Sequence, residues 1–511
     1  MRLRSRRHST AEQELSTAHL VPDLARRSLR GGAVTIGAQA LKMVLQFAAV
    51  IVLTRLLPPA AFGMVAMAAA LYAALEVLKE LGLSAATIQK PDLKQAEVSA
   101  LFWMNTSAGA VIALALFLAA PLIAAFYGQP ELVEITRWLA LGFLMSGLTV
   151  QHWALLRRQM RFGAIAVMET GAEMIGLAAG IALAVSGADY WALVVQRLTG
   201  PGLTMVGCWL LCRWRPSAPA LVPGMGQLVL FGASVMGSNV AAAITRNLDQ
   251  VMIGWLWGAA WLGIYERATR LLLLPLNNLN GPIYAVAMPM LSRLVGQHER
   301  YRSAFREIIE KLAMLTAPAG ALLAVTCDWV VELLFGHGWS AATPVVAAFA
   351  VAVAWLPIVY ALNLLYLSQN RPKEMLRAAA VDSALSVALI LAGVSFGPAA
   401  IALCYAVGGL FLRLPMSLWL ATRKGPVSLH DAVAAVLPSF AAAPCVAGAV
   451  WLLRQEVAWD FATTAGRLLI VAIAAVVAAM VAYYAIPQSR RALMMLARLP
   501  RMMRRDPAVN T

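Results

Sequence analysis

Fourteen apolar stretches of about 20 residues, separated by short polar breaks, constrain the fold of this 511-residue chain more than any other feature. At about 1.5 Å of helical rise per residue, each stretch can cross a hydrocarbon layer about 30 Å thick. Backbone in lipid must satisfy its own hydrogen bonds, and for stretches of this length the α-helix does so. With a window of about 19 residues, the first six spans are 34–56, 62–83, 98–126, 135–155, 162–185 and 190–211. The remaining eight are 228–257, 261–291, 312–335, 341–367, 375–394, 398–421, 432–453 and 465–486. The expected fold is therefore an all-α integral membrane protein of about 14 transmembrane helices.

Charge provides an independent check, because cytoplasmic connections are enriched in Lys and Arg. With the basic tail 1–33 inside, the even-numbered connections carry Lys90 and Lys94, then Arg157, Arg158 and Arg161, then Arg213 and Arg215. They continue with Arg293, Arg300, Arg302, Arg306 and Lys311, then Arg371, Lys373 and Arg377, then Arg423 and Lys424. The odd-numbered connections, such as YGQPE and FGHGWSAAT, carry almost none apart from Arg454. The basic tail 487–511 then also lies inside, so both termini are expected in the cytoplasm.

An internal repeat divides the spans. Gly32, Ala33 and Gly37 in RGGAVTIGAQ match Gly232, Ala233 and Gly237 in LFGASVMGSN at an offset of 200. The same offset relates LLPPAAFG, ending at Gly63, to LWGAAWLG, ending at Gly263. Two six-helix lobes follow, 34–212 and 228–421. Six is even, so both enter from the same side as a parallel repeat, with 432–486 as an extra helix pair.

Several chemistries are excluded. The chain is 61% hydrophobic and 13% charged, against about 25% charged in soluble proteins. Its net charge of +16 is scattered between spans and forms no continuous basic face for nucleic acid. There is no phosphate-binding GxxxxGK[ST] loop, and the six histidines are too dispersed for a metal site. Cys208 and Cys212, one turn apart, lack a third ligand. No cofactor is expected, and the short outside connections disfavour a membrane glycan polymerase. The chain reads as a transporter rather than an enzyme, with no catalytic residues.

The candidate site consists of ionisable groups within spans, each costing roughly 2.5 to 3.5 kcal/mol at a helix centre unless paired or hydrated. Asn239, Arg246, Asp249 and Gln250 share a stripe of span 7. In span 8, Glu266 and Arg270 are one turn apart, Arg267 shares a face with Arg270, and Asn277 continues that face. Two readings stay open: a cationic cavity for an anionic headgroup, whose oxygens match the arginine fork, or ion pairs Arg246 with Asp249 and Arg270 with Glu266. In the first lobe, Gln39, Lys42 and Gln46 form a polar stripe, and Lys42, Glu76, Lys79 and Glu80 are a set able to neutralise itself. Glu76 and Glu80 are candidates for coupling to a proton or sodium gradient.

The string FGASVMGSNVAAAITRNLDQVMIG and its sequel LGIYERATRLLLLPLNNLNGPI resemble the polysaccharide-exporting flippases of the MOP superfamily, the Wzx-like branch that includes colanic-acid-type transporters. The first-lobe segments LTRLLPPAAFGMVA and ELGLSAATIQK resemble the counterpart. This resemblance over about residues 28–425 implies a two-lobed, MATE-like fold in a bacterial inner membrane. It implies a flippase moving undecaprenyl-pyrophosphate-linked oligosaccharide by alternating access for exopolysaccharide, O-antigen or capsule assembly, with a polymerase and co-polymerase as candidate partners. Peptidoglycan lipid-precursor flippases and ion-coupled drug exporters of the same superfamily are the alternatives.

Overall fold

The computed structural model describes residues 24–76, 87–88, 93–219, 247–457, 459, 463–486 and 490; side chains are described for these except 24–30, 74, 76, 274, 277–280 and 282. The chain divides into two compact units, Met1–Glu266 and Arg267–Thr511. The first contains α1 (Leu24–Leu56), α2 (Pro59–Glu76), α3 (Gln95–Tyr127), α4 (Leu132–Arg158), α5 (Phe162–Val185) and α6 (Tyr190–Leu211), and α7 (Leu248–Arg293) begins in it. The second continues with α8 (His298–Phe335), a 3-10 turn (His337–Ala342), α9 (Thr343–Ser368) and α10 (Pro372–Val394). It ends with α11 (Pro398–Gly408), a π turn (Gly409–Arg413), α12 (Leu414–Thr422), α13 (Leu429–Glu456) and α14 (Thr464–Ala485).

Among the described residues, ten helices are long and apolar enough to cross a membrane, and Pro59–Ala73 is a shorter apolar one. Their outer faces carry large exposed apolar side chains, including Leu118, Leu122, Val167, Leu469, Ile473 and Val481. Surfaces of this kind are unfavourable in water and natural in lipid.

Small residues set the closest helix crossings, since a missing side chain lets backbones approach. In the first unit, a Cβ on Gly109 would lie 2.6 Å from the Phe143 carbonyl oxygen, and one on Gly147 would lie 2.8 Å from that of Asn105. In the second, a Cβ on Gly320 would lie 2.6 Å from the Ala350 oxygen, and Thr316 donates to the Ala354 carbonyl at 3.1 Å. The α3–α4 and α8–α9 pairs thus use the same device in corresponding parts of the two repeats.

The structure corrects one connection. Arg300, Arg302, Arg306 and Lys311 are not in a loop but on α8, which starts at His298. Tyr301, Phe305 and Ile309 recur at four-residue steps and are fully buried, so this stretch packs as an amphipathic helix before entering the membrane. It anchors the extra pair. Ser428 and Asp431 cap α13 reciprocally, and Asp431 also meets Arg302 at 3.3 Å. Near the other end of α13, Arg454 forms a two-pronged ion pair with Asp328 of α8. Val446, Val450, Val471, Ala475 and Tyr483 fill the space between α8, α13 and α14.

Candidate functional site

Helix α7 breaks at Gly258, whose φ of 80° and ψ of −176° leave the helical region; positive φ is a conformation glycine adopts readily. The chain reverses there. Tyr265 Oη donates to Asp249 Oδ2 at 2.8 Å across 16 residues, which a straight helix would hold about 24 Å apart. The two arms on either side of Gly258 correspond to the expected spans 7 and 8. The Gln250 amide donates to the other oxygen of Asp249 at 2.8 Å.

The reversal is seated by a reciprocal contact between repeat-equivalent turns. A Cβ on Gly63 would overlap the Ala259 carbonyl oxygen, and one on Gly263 would overlap the Pro59 carbonyl oxygen. Residues 63 and 263, and 59 and 259, are related by the 200-residue offset. Such an i-to-j and j-to-i contact is what a two-fold axis between equivalent elements produces. The Trp255 ring stacks on Phe126 with centroids 5.7 Å apart, and Gly254 adjoins the ring of Tyr127. For these reasons residues 248–266 fall within the first unit, although the repeat assigns them to the second lobe.

Glu266 and Arg267 are half-buried on the second arm of α7, and Arg270 is exposed. Asn239, Arg246 and Glu80 lie outside the described residues, as do the side chains of Glu76 at the end of α2 and Asn277 on α7. Asp249 therefore has a partner that the pairing with Arg246 did not anticipate, the Tyr265 hydroxyl. A tyrosine two turns beyond a predicted reversal was the available signal.

Lys42 has a partner that its own stripe did not reveal. Its ammonium lies 3.0 Å from Glu169 Oε2 on α5, while Lys79, Glu80 and the side chain of Glu76, the other members of the expected set, lie outside the described residues. Trp153 Nε1 of α4 donates to Glu169 Oε1 at 3.0 Å. Glu169 and Glu173 are ionisable groups inside span 5, so the cost argument that singled out Glu76 and Glu80 applies to them equally.

Two further intramembrane groups were missed. Arg197 of α6 lies 5.5 Å from the centroid of the Tyr72 ring. Arg413, at the end of the π turn, grips Asp382 of α10 with two hydrogen bonds of 2.8 Å between the Trp355 and Tyr405 rings. Asp382 is about 15 Å along α10 from its start, so the pair sits near mid-membrane. The Arg413 side chain is 5% exposed. Arg413→Leu leaves Asp382 unpaired and is expected to destabilise the protein by about 3 to 5 kcal/mol. Thermal unfolding in detergent checks this, with Arg413→Leu/Asp382→Leu recovering most of the loss.

A family profile described as "Polysaccharide biosynthesis protein" matches residues 52–344. Teichuronic acid biosynthesis protein TuaB of Bacillus subtilis (strain 168) is 27% identical over 279 residues, 54% of this chain and 58% of TuaB. Succinoglycan biosynthesis transport protein ExoT of Rhizobium meliloti (strain 1021) is 28% identical over 309 residues, 60% of this chain and 62% of ExoT. The chain thus spans about three fifths of the length of these relatives. The structure of the lipid II flippase MurJ in an inward closed conformation superposes with a TM-score of 0.70 at 11% identity, covering 90% of this chain and 99% of that one. That likeness establishes the fold. The family match covers more than half of the chain and includes the Gly258 reversal with its charged residues, and this protein belongs to the polysaccharide biosynthesis protein family.

Proposed function

We propose that this protein moves an undecaprenyl-pyrophosphate-linked oligosaccharide from the cytoplasmic to the periplasmic leaflet of the bacterial inner membrane by alternating access. Both termini face the cytoplasm in this reading, and the product passes to a polymerase and co-polymerase in the same membrane. The observation that carries it is the family match across α7, where Asp249, Glu266, Arg267 and Arg270 interrupt an otherwise apolar helical reversal. A hydrated, charged headgroup cannot cross hydrocarbon without polar walls. Arg267 and Arg270, three residues apart, present two guanidinium forks to one side of the helix, a geometry suited to phosphate oxygens. The name of ExoT, a transport protein of succinoglycan biosynthesis, supports the same reading.

Deleting the gene tests it. Undecaprenyl-linked repeat units are expected to accumulate facing the cytoplasm while surface polysaccharide disappears, and plasmid-borne protein restores both. Unchanged polysaccharide with raised sensitivity to cationic drugs would identify a drug exporter instead. Accumulation of the peptidoglycan lipid precursor would identify the other alternative.

A further inference from the structure

The ion pair between α1 and α5 is open on one side. Lys42 and Glu169 side chains are 25% and 28% exposed, so both members of the pair are partly accessible, whereas in the mid-membrane pair Arg413 is 5% and Asp382 30% exposed. Helix α1 is among the least covered spans, with 11% of its apolar window buried, and Gln39 is exposed on the stripe that carries Lys42. Lys42 lies about 12 Å along α1 from the start of the apolar stretch at Val34, and Glu169 about 10 Å along α5 from Phe162. With the amino-terminal end of each helix inside, both stand in the cytoplasmic half of the membrane, where a lipid headgroup would enter.

We propose that Lys42 exchanges partners, leaving Glu169 for the pyrophosphate of an arriving lipid-linked glycan, and that Glu169 then takes up a proton from the aqueous path. This rests on the function proposed above and adds to it one proton linked to headgroup binding at the cytoplasmic side. An ammonium has three donors and prefers the denser charge of a pyrophosphate to a single carboxylate. Once the ammonium turns away, Glu169 keeps, among the described residues, the Trp153 N–H on Oε1. An ionised carboxylate beside a bound polyanion in a poorly hydrated site is unfavourable, and protonation relieves it. The Trp153 bond holds Glu169 in place in either protonation state, which makes Trp153 a positioning residue. The exchange is balanced: one proton enters the site for each headgroup bound, and it leaves when the headgroup departs and Lys42 returns.

The groups around Glu169 act consistently. Glu173, one turn along α5, adds negative charge. Arg157 of α4 lies over the Trp153 ring at 4.5 Å and is exposed at the cytoplasmic end of its helix, where salt screens it. His152 of α4 and the Cys208 and Cys212 thiols of α6 are fully buried, so they are not placed to take the proton from the path. A purely structural tie between α1 and α5 would use the same 3.0 Å contact but would bind no proton.

Titrating undecaprenyl pyrophosphate into the full-length protein in detergent, in buffers of differing ionisation enthalpy, counts the protons linked to binding. The wild type is expected to take up close to one proton, and the binding heat of Glu169→Gln and of Lys42→Gln to be independent of buffer. Binding by the wild type without proton uptake would overturn the exchange and leave the flippase reading standing, and this arm needs no variant. Uptake by Glu169→Gln equal to wild type would also overturn it. No binding of undecaprenyl pyrophosphate to the wild type would overturn the functional reading and the exchange together.

Discussion

Gly263→Ala is expected to destabilise the protein by about 3 kcal/mol or more, at or beyond the upper end of ordinary overpacking. The added Cβ would overlap the Pro59 oxygen and stand 2.9 Å from the Gly63 nitrogen. These are backbone atoms, which cannot rotate aside as a flexible side chain does. Alanine's better helix propensity, about 1 kcal/mol over glycine, is too small to offset this. Gly63→Ala meets the Ala259 backbone in the same manner. Because the two glycines serve one contact, the double variant should lose less than the sum of the singles: the first methyl parts the turns and makes room for the second. Gly37→Ala and Gly281→Ala, where nothing lies within 4 Å of the new Cβ, serve as controls, and their unfolding midpoints should stay level or rise. Equal midpoints for Gly263→Ala and these controls would show that the turns do not pack as described.

Arg267 and Arg270 should separate transport from folding. Losing one charge-assisted hydrogen bond to the headgroup is worth about 1.5 to 3 kcal/mol, or about 10- to 150-fold in binding. Arg270→Ala alone is ambiguous, since Glu266 one turn away would lose a neighbouring cation. Arg270→Ala/Glu266→Gln removes both charges and should return protein to the membrane while periplasmic glycan stays at least tenfold below wild type. The matching pair in expected span 7 is Arg246→Ala/Asp249→Asn. Asparagine is the appropriate replacement because it keeps an acceptor for the Tyr265 hydroxyl, which alanine would strand. Full export by both double variants would reduce these residues to structural ion pairs.

Helix positions were legible because lipid imposes one length and one composition. Phe162–Val185 and Tyr190–Leu211 begin and end where the apolar pattern does. The reversal near Gly258 was legible from the break between spans 7 and 8 and from the offset that relates Gly63 to Gly263, while the reciprocal backbone contact of the two turns was not. Side-chain partners were not, because they depend on which helices pack together. Lys42 meets Glu169 because α1 lies against α5, 127 residues away, and no local spacing encodes that distance. The π turn at Gly409–Arg413 was hidden for a different reason. It inserts a residue into an apolar run without altering its composition, and it places Arg413 opposite Asp382. The membrane-entry helix of α8 was missed although its signal was present: Tyr301, Phe305 and Ile309 keep helical spacing within a basic stretch that the topology rule treats only as a charge cluster.

In the proposed function, this chain carries a pyrophosphate-linked glycan lipid between leaflets with the α7 arginines on its headgroup. The direct measurement uses proteoliposomes holding the full chain and a fluorescent undecaprenyl-pyrophosphate oligosaccharide, with leaflet position read by a membrane-impermeant quencher. The wild type should move the lipid much faster than protein-free vesicles, and Arg267→Ala/Arg270→Ala should fall to the protein-free rate while remaining folded. Movement by the wild type no faster than in protein-free vesicles, or equal movement by the double variant, would contradict the account.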